Sequence, residues 1–203
     1  MTWRNRILDD GLERDKWLAS RYDVIGASDA AKLAKPESVD KYLAAKLGDH
    51  GFTGNAFTES GNRWEPMMLA WLGITPNVAL IHAPDERGFA STPDGILTTL
   101  SGTRGAECKA KHLKVVTGPT LGEWRQLSWQ LHTVPELEEI EFTWVELDAE
   151  GELRQCLNGE PKSLTVKRND PKVIGLLEKM LPIATDLLAR LQAARRFEKE
   201  LAL

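Results

Sequence analysis

The chain has 203 residues, of which 42% are hydrophobic and 28% are charged, and its formal net charge is −4. This length and composition suit a single domain over 1–203 with one sizeable core, and they exclude collagen, coiled coils and intrinsic disorder. No apolar run is long enough to span a membrane and the N-terminus has no signal-peptide core, so we expect a soluble cytoplasmic protein. Two cysteines, Cys108 and Cys156, are too few for a disulfide framework or an all-cysteine iron–sulfur cluster.

The charge is distributed unevenly along the chain. Residues 134–160 hold nine acidic residues and one basic residue, whereas residues 104–125 hold five basic and two acidic residues. One acidic stretch therefore sets the sign of the whole chain, and the negative total does not exclude nucleic acid as a partner. The pattern leaves three interpretations of that stretch open: a solvated face, a docking surface for a basic partner, or an outer face turned away from DNA.

In the N-terminal part, apolar spacing and capping residues predict helices. Leu8, Leu12 and Trp17 indicate helical turns near the start of the chain, and Ser28 and Ser38 occupy N-cap positions before two further helices. An amphipathic helix follows, and it ends at Gly73. Pro66 is expected in the first turn of that helix, where a missing N–H costs nothing. Its apolar face is formed by residues at helical spacing: Trp64, Met67, Met68, Trp71 and Leu72.

The next segment changes from helical to strand-like patterns. Residues 89–97 and 105–110 predict two short strands joined by a Ser/Gly/Thr turn. Thr120 and Glu123 form a capping box that opens another helix. Residues 140–144 alternate between apolar and polar, which predicts a half-buried strand.

The C-terminal part is predicted to hold a hairpin and a long helix. A turn at 148–151 leads to a strand at 153–157, paired with the preceding strand. The last helix starts at Pro171 and is expected to kink at Pro182. The order of elements predicts a mixed α/β (α+β) domain in which helices flank a small mixed sheet.

The sharpest chemical feature combines Asp94, Glu107 and Lys109. Along a strand, Glu107 and Lys109 point to the same face, because side chains alternate with a period of two. If Asp94 begins the neighbouring strand, two carboxylates and an ammonium group meet at one sheet edge. Two carboxylates with a carbonyl between them suit Mg²⁺, and the set indicates metal-assisted phosphodiester hydrolysis.

Three further features accompany this set: Glu65 on the Trp/Met helix, Arg21 seven residues before Ser28, and Gln126 on the helix after the Glu-x-Lys strand. With them, the sequence resembles the PD-(D/E)XK nucleases, and within these the lambda-type phage exonucleases, also called alkaline exonucleases or YqaJ-like viral recombinases. The resemblance extends from about Trp17 to Leu147. It implies a restriction-endonuclease-like core.

The resemblance also implies roles for individual residues. Asp94, Glu107 and the Cys108 carbonyl correspond to the ligands of Mg²⁺, for which Mn²⁺ can substitute, and Lys109 to the residue that positions the attacking water. The remaining correspondences are Glu65 beside the metal, Gln126 or Gln130 supporting the lysine and the scissile phosphate, and Arg21 with Ser28 binding a terminal 5′-phosphate. A Ser-capped helix start beside an arginine suits phosphate on physical grounds as well.

As a member of this family, the chain is expected to digest linear double-stranded DNA from 5′ to 3′ and to leave 3′ overhangs for phage recombination. The resemblance implies a ring-shaped homotrimer, a single-strand annealing protein as partner, and the cytoplasm of a bacterial host. The base-pair wedge of the family corresponds to Phe57 or Thr58. The alternatives are an endonuclease of the same superfamily, of resolvase or restriction type, and a non-catalytic DNA-binding phage protein.

Overall fold

Two β-sheets with helices packed on them make up the architecture of the chain. The computed structural model describes residues 2–48, 56–154 and 160–201. The strands and helices in chain order are β1 (Ile7–Asp9), α1 (Arg14–Tyr22), α2 (Ala27–Ala30), α3 (Val39–Leu47), α4 (Ala56–Leu72), β2 (Leu80–His82), β3 (Ala90–Ser91), β4 (Gly95–Thr99), β5 (Gly102–His112), α5 (Leu121–Thr133), β6 (Leu137–Leu147), β7 (Lys162–Lys167) and α6 (Pro171–Leu201). None of the helices in the described ranges is apolar enough over a sufficient length to cross a membrane.

The larger sheet has the strand order β4-β5-β6-β7. Its two central strands, β5 and β6, are parallel, and α5 connects them across one face. Both edge strands pair antiparallel with their neighbours. The strand β7 was not predicted from the sequence. The expected partner of β6 at 153–157 is present as a single bridge between Leu153 and Leu147, and residues 155–157 lie outside the described part.

The smaller sheet consists of β1, β2 and β3, all antiparallel. The predicted strand 89–97 is therefore divided between the sheets, because β3 pairs with β2 whereas β4 pairs with β5. Residues 92–94 cross from one sheet to the other. Leu8, expected in a helical turn, lies in β1, and the exposed Leu12 precedes α1.

The start of α2 differs from the prediction. The N-cap is Gly26, whose backbone N–H donates to the Asp29 carboxylate at 2.9 Å. Ser28 is consequently a residue of the first turn rather than the cap. Ser38 does occupy the N-cap position of α3. Because α2 has only four residues, the chemistry of Ser28 depends on its hydroxyl and not on a helix dipole.

The helix α4 begins earlier than expected, so Pro66 lies in its interior. The proline removes one backbone donor, and the burial of Met68 and Leu69 against β5 compensates for that loss. Trp71, predicted on the apolar face, is 46% exposed. The helix ends as predicted at Gly73, whose φ of +64° is the left-handed conformation that glycine adopts most easily.

The helices α5 and α6 cover the other face of the large sheet. The capping box of Thr120 and Glu123 starts α5, as predicted. Leu127 and Leu131 of α5 pack on β6, and α6 packs against α5 and continues through Pro182. The strand β5 is thus enclosed between α4 on one face and α5 on the other.

Candidate active site

Asp94 and Glu107 meet because of the register between β4 and β5. Gly95 pairs with Ala106, so Asp94, one residue before β4, lies next to Glu107. The Asp94 backbone N–H donates to the Ala106 carbonyl at 3.0 Å, and the Cys108 N–H donates to Asp94 Oδ2 at 2.6 Å. The backbone of β5 therefore holds the Asp94 carboxylate beside Glu107, at the edge where the sequence predicts that the two carboxylates meet.

Glu107 is the most enclosed carboxylate of the cluster, with 1% of the residue exposed. Its Oε1 accepts hydrogen bonds from the Lys109 ammonium and the Gln126 amide, and its Oε2 accepts from Gln130 Nε2 at 2.6 Å. Both glutamines therefore contact Glu107, since they lie one helical turn apart on the face of α5 that meets β5, and the choice between them for the predicted role stays open. Gln130 Oε1 is buried without a hydrogen-bond donor among the described residues.

Lys109 shares the face of β5 with Glu107, as the strand alternation predicts, and forms an ion pair with it. Burial alone would lower the pKa of this lysine, but the negative charges of Glu107 and Asp94 outweigh burial and raise the pKa above its ordinary value. Lys109 is therefore a cation in this structure and a hydrogen-bond donor.

The carboxylates of the cluster outnumber its cations. Burial raises the pKa of Asp94 well above its usual value, Glu107 raises it further, and Lys109 opposes the shift. Burial and Glu107 also raise the pKa of Glu65, which reaches the cluster from α4. The ionised forms of these carboxylates are thus disfavoured, and an additional cation would stabilise them.

The donor set of the cluster fits Mg²⁺. Asp94, Glu107 and the Cys108 carbonyl offer oxygen ligands, and Glu65 adds a further carboxylate nearby. Within the described ranges, no group of three or more His, Cys, Asp or Glu side chains is arranged to hold a metal ion by itself. The Cys108 side chain packs against α4, and burial raises the pKa of its thiol, which favours the protonated form.

Arg21 and Ser28 lie at the rim of the same site. Arg21 Nη2 donates to Ser28 Oγ at 2.7 Å, and its guanidinium lies 4.6 Å from the centroid of the Trp17 ring. Both residues line a cavity of about 210 Å³ that Asp94 and Gln126 also line. The residues predicted to bind a terminal phosphate thus share one cavity with Asp94, one of the predicted metal ligands, and with Gln126.

Sequence reasoning missed the residues that hold α2 beside this cavity. The buried Lys46 of α3 forms an ion pair with Asp29 at 2.7 Å, and Asp29 caps Gly26. The three-residue spacing of Gly26 and Asp29 is a capping signal, but nothing local links Lys46 to Asp29 across 17 positions. The side chains of the wedge candidates Phe57 and Thr58 lie outside the described residues.

No family model and no curated protein matches this sequence. Several solved structures do match the fold. The alkaline exonuclease LHK-Exo from Laribacter hongkongensis is 19% identical, with a TM-score of 0.63 over 92% of this chain and 99% of that one. LHK-Exo in complex with dAMP is 20% identical, with a TM-score of 0.62 and the same coverage.

A phage-related exonuclease from Haemophilus somnus 129PT is 13% identical, with a TM-score of 0.56 over 94% of this chain and 93% of that one. These likenesses extend over nearly the whole length of both partners. The chain therefore has the fold of the lambda-type exonucleases, an α/β fold of the PD-(D/E)XK nuclease type.

Proposed function

We propose that the chain is a metal-dependent exonuclease that degrades one strand of linear double-stranded DNA from a 5′-phosphorylated end. The observation that carries this proposal is the shared cavity: Arg21 and Ser28 line the same space as Asp94 and Gln126. A guanidinium and a hydroxyl suit a phosphate monoester, and the carboxylate cluster suits a hydrolytic metal. The solved exonucleases with this fold support the same reaction class.

Each residue of the cluster has a physical task in this proposal. Asp94, Glu107 and the Cys108 carbonyl would hold Mg²⁺ or Mn²⁺, and the bound cation supplies a more acidic water and charge stabilisation at the phosphate. Lys109, positively charged beside Glu107, orients the attacking water by donating to it. Gln126, which binds Glu107 and lines the cavity, is placed to contact both the carboxylate and the DNA phosphate.

The 5′ end is held while the first internal linkage is cut. The Arg21 guanidinium, stacked on Trp17, supplies the charge for the terminal phosphate, and Ser28 supplies a hydroxyl. Because Arg21 and Ser28 share one small cavity with Asp94, the enzyme would act close to the end it binds. Repetition from 5′ to 3′ leaves a 3′ overhang, the substrate of a single-strand annealing protein in phage recombination.

The test is digestion of an end-labelled linear duplex with and without Mg²⁺, compared with covalently closed circular DNA. We expect metal-dependent release of nucleotides only from the strand whose 5′ terminus lies at the end being digested. Ends that carry a 5′-hydroxyl should be digested at least about tenfold more slowly than ends that carry a 5′-phosphate. In Arg21→Gln that preference for phosphorylated ends should disappear. Efficient linearisation of the circle would instead establish an endonuclease, and no cleavage of either substrate would leave only DNA binding.

We also propose that the enzyme works as a ring-shaped homotrimer in the bacterial cytoplasm. A ring retains DNA by enclosure, which suits a chain with a net charge of −4. Light scattering after size exclusion should then give three times the 22.6 kDa mass of the chain. A monomer at micromolar concentration would contradict this assembly without contradicting the catalytic assignment.

A further inference from the structure

A second cavity, distinct from the active site, lies between the C-terminal ends of α1 and α6. Its volume is about 470 Å³, within the range of about 300–1,000 Å³ that small-molecule sites occupy. Residues 86–88 close one side. Val24 and Leu191 contribute apolar wall, so the cavity offers both apolar and charged surface.

The charge of this cavity is unbalanced. Four basic residues and two acidic residues line it; the basic ones are Arg87, Arg195, Arg196 and Lys199, and the acidic ones are Asp23 and Glu86. The Glu86 carboxylate already accepts the Gly88 N–H at 2.8 Å. Among the described residues, Arg87, Arg196 and Lys199 have no ion-pair partner. The cavity therefore holds uncompensated positive charge.

Arg195 shows how the acidic groups near the cavity are used. Its Nη1 donates to Glu198 at 2.7 Å, and its buried Nε lies 3.6 Å from Asp23 Oδ1 without a hydrogen-bond acceptor in the described part of the chain. Both carboxylates therefore face Arg195, and the cations left for a bound phosphate to neutralise are Arg87, Arg196 and Lys199.

The position of the cavity connects it with the proposed substrate. Ser20 of α1 and Asp23, which follows α1, line it, whereas Trp17 and Arg21 of α1 line the active-site cavity. Successive helical residues are about 100° apart, so the two cavities lie on neighbouring sides of the C-terminal end of α1.

We propose that this second cavity binds a nucleoside phosphate, with the arginines contacting the phosphate and the apolar wall contacting the base or sugar. Arginine favours phosphate because its planar donor fork matches two phosphate oxygens. The phosphate belongs either to a DNA strand leaving the active site, which rests on the proposed function, or to a free nucleotide. An acidic polypeptide is the competing ligand, and it offers no base for the apolar wall.

The test compares Arg196→Gln/Lys199→Gln with Lys167→Gln/Lys179→Gln, a control pair that removes the same charge from exposed positions elsewhere. Binding is measured in EDTA, so that cleavage does not interfere. The probes are a labelled oligothymidylate of about twelve nucleotides, thymidine 5′-monophosphate, and poly-glutamate. Thermal unfolding of both variants verifies that each is folded.

For a strand site, the test variant should bind the oligothymidylate about tenfold more weakly. The slope of the logarithm of affinity against the logarithm of salt concentration should also become less steep by about 1.4, or about 0.7 for each lost phosphate contact. For a free-nucleotide site, only the monophosphate should lose about tenfold in affinity. The inference is overturned if both probes bind the test and control variants alike, or if poly-glutamate alone loses affinity.

Failure of this inference differs from failure of the proposed function. A chain that digests 5′ ends but binds all probes equally in both variants contradicts only the second site. A chain that binds nucleotide through the second cavity yet never cleaves DNA contradicts only the nuclease proposal.

Discussion

Lys109 and Lys111 lie two residues apart on the same face of β5, and each contacts a glutamate, yet their surroundings differ. Among the described residues, Lys111 forms an ion pair only with Glu123. Burial raises the pKa of the Glu123 carboxyl, but hydrogen bonds from Lys111 and Thr120 outweigh burial and lower it. Lys109 faces several carboxylates, and the pKa of Asp94 is raised. The first pair is electrostatically balanced and stabilises the fold, whereas the second cluster is short of positive charge and suits a cation and a phosphate.

The largest effect is expected at Lys109. Lys109→Met should lower the rate of DNA hydrolysis by about a thousandfold, because the donor to the attacking water is lost. Removing a cation from a carboxylate-rich cluster should also make the fold depend more on Mg²⁺, seen as a larger rise in melting temperature on adding the metal. A rate within a few-fold of the parent would contradict the catalytic role.

The matched change at Lys111 should affect stability instead. Lys111→Met leaves Glu123 without its cation, with both side chains only 14% exposed, and should reduce the free energy of unfolding by about 2 kcal/mol. Urea denaturation measures this loss. The rate of hydrolysis by the folded fraction should stay within about fivefold of the parent. A loss of rate as large as that of Lys109→Met would contradict a purely structural role for Lys111.

Asp94→Asn should increase the stability of the protein in the absence of metal, whereas Lys111→Met should decrease it. Without metal, the neutral amide avoids a disfavoured buried charge and keeps an acceptor for the Cys108 N–H, so stability should rise by about 1 kcal/mol. Stabilisation by Mg²⁺ should disappear in this variant, as titration followed by thermal unfolding would show. A destabilised Asp94→Asn would mean that the cluster is balanced without a cation.

The smallest effect is the acid response of Glu123. The folded pKa of this carboxyl lies below its ordinary value of 4.5, so its stabilising contribution is complete above that pH and is lost as the pH falls through the folded pKa. Glu123→Gln should therefore be less stable than the parent at pH 7, and the difference should shrink below about pH 4.5. Denaturation curves across that range measure it, and a difference independent of pH would exclude a charged contribution.

Much of the local structure was predictable from the sequence. The capping box of Thr120 and Glu123 marks the start of α5, and Gly73 marks the end of α4. The assignments that failed depended on more distant partners. Pro66 was expected at a helix start, but α4 begins at Ala56 and carries Pro66 in its interior, with the following turns packed on β5. The strand β7 has no apolar alternation strong enough to reveal it, since mainly Val166 is buried.

The sequence by itself determined that Glu107 and Lys109 share a face of one strand, because the side-chain period of a strand is a local property. It also determined which helix would carry the amides of Gln126 and Gln130. Only the tertiary structure decided that both amides bind Glu107, and that the Arg21–Ser28 pair opens into the cavity of Asp94. These contacts depend on how helices pack on the sheet and how the chain crosses between two sheets, and residues far apart in sequence set both.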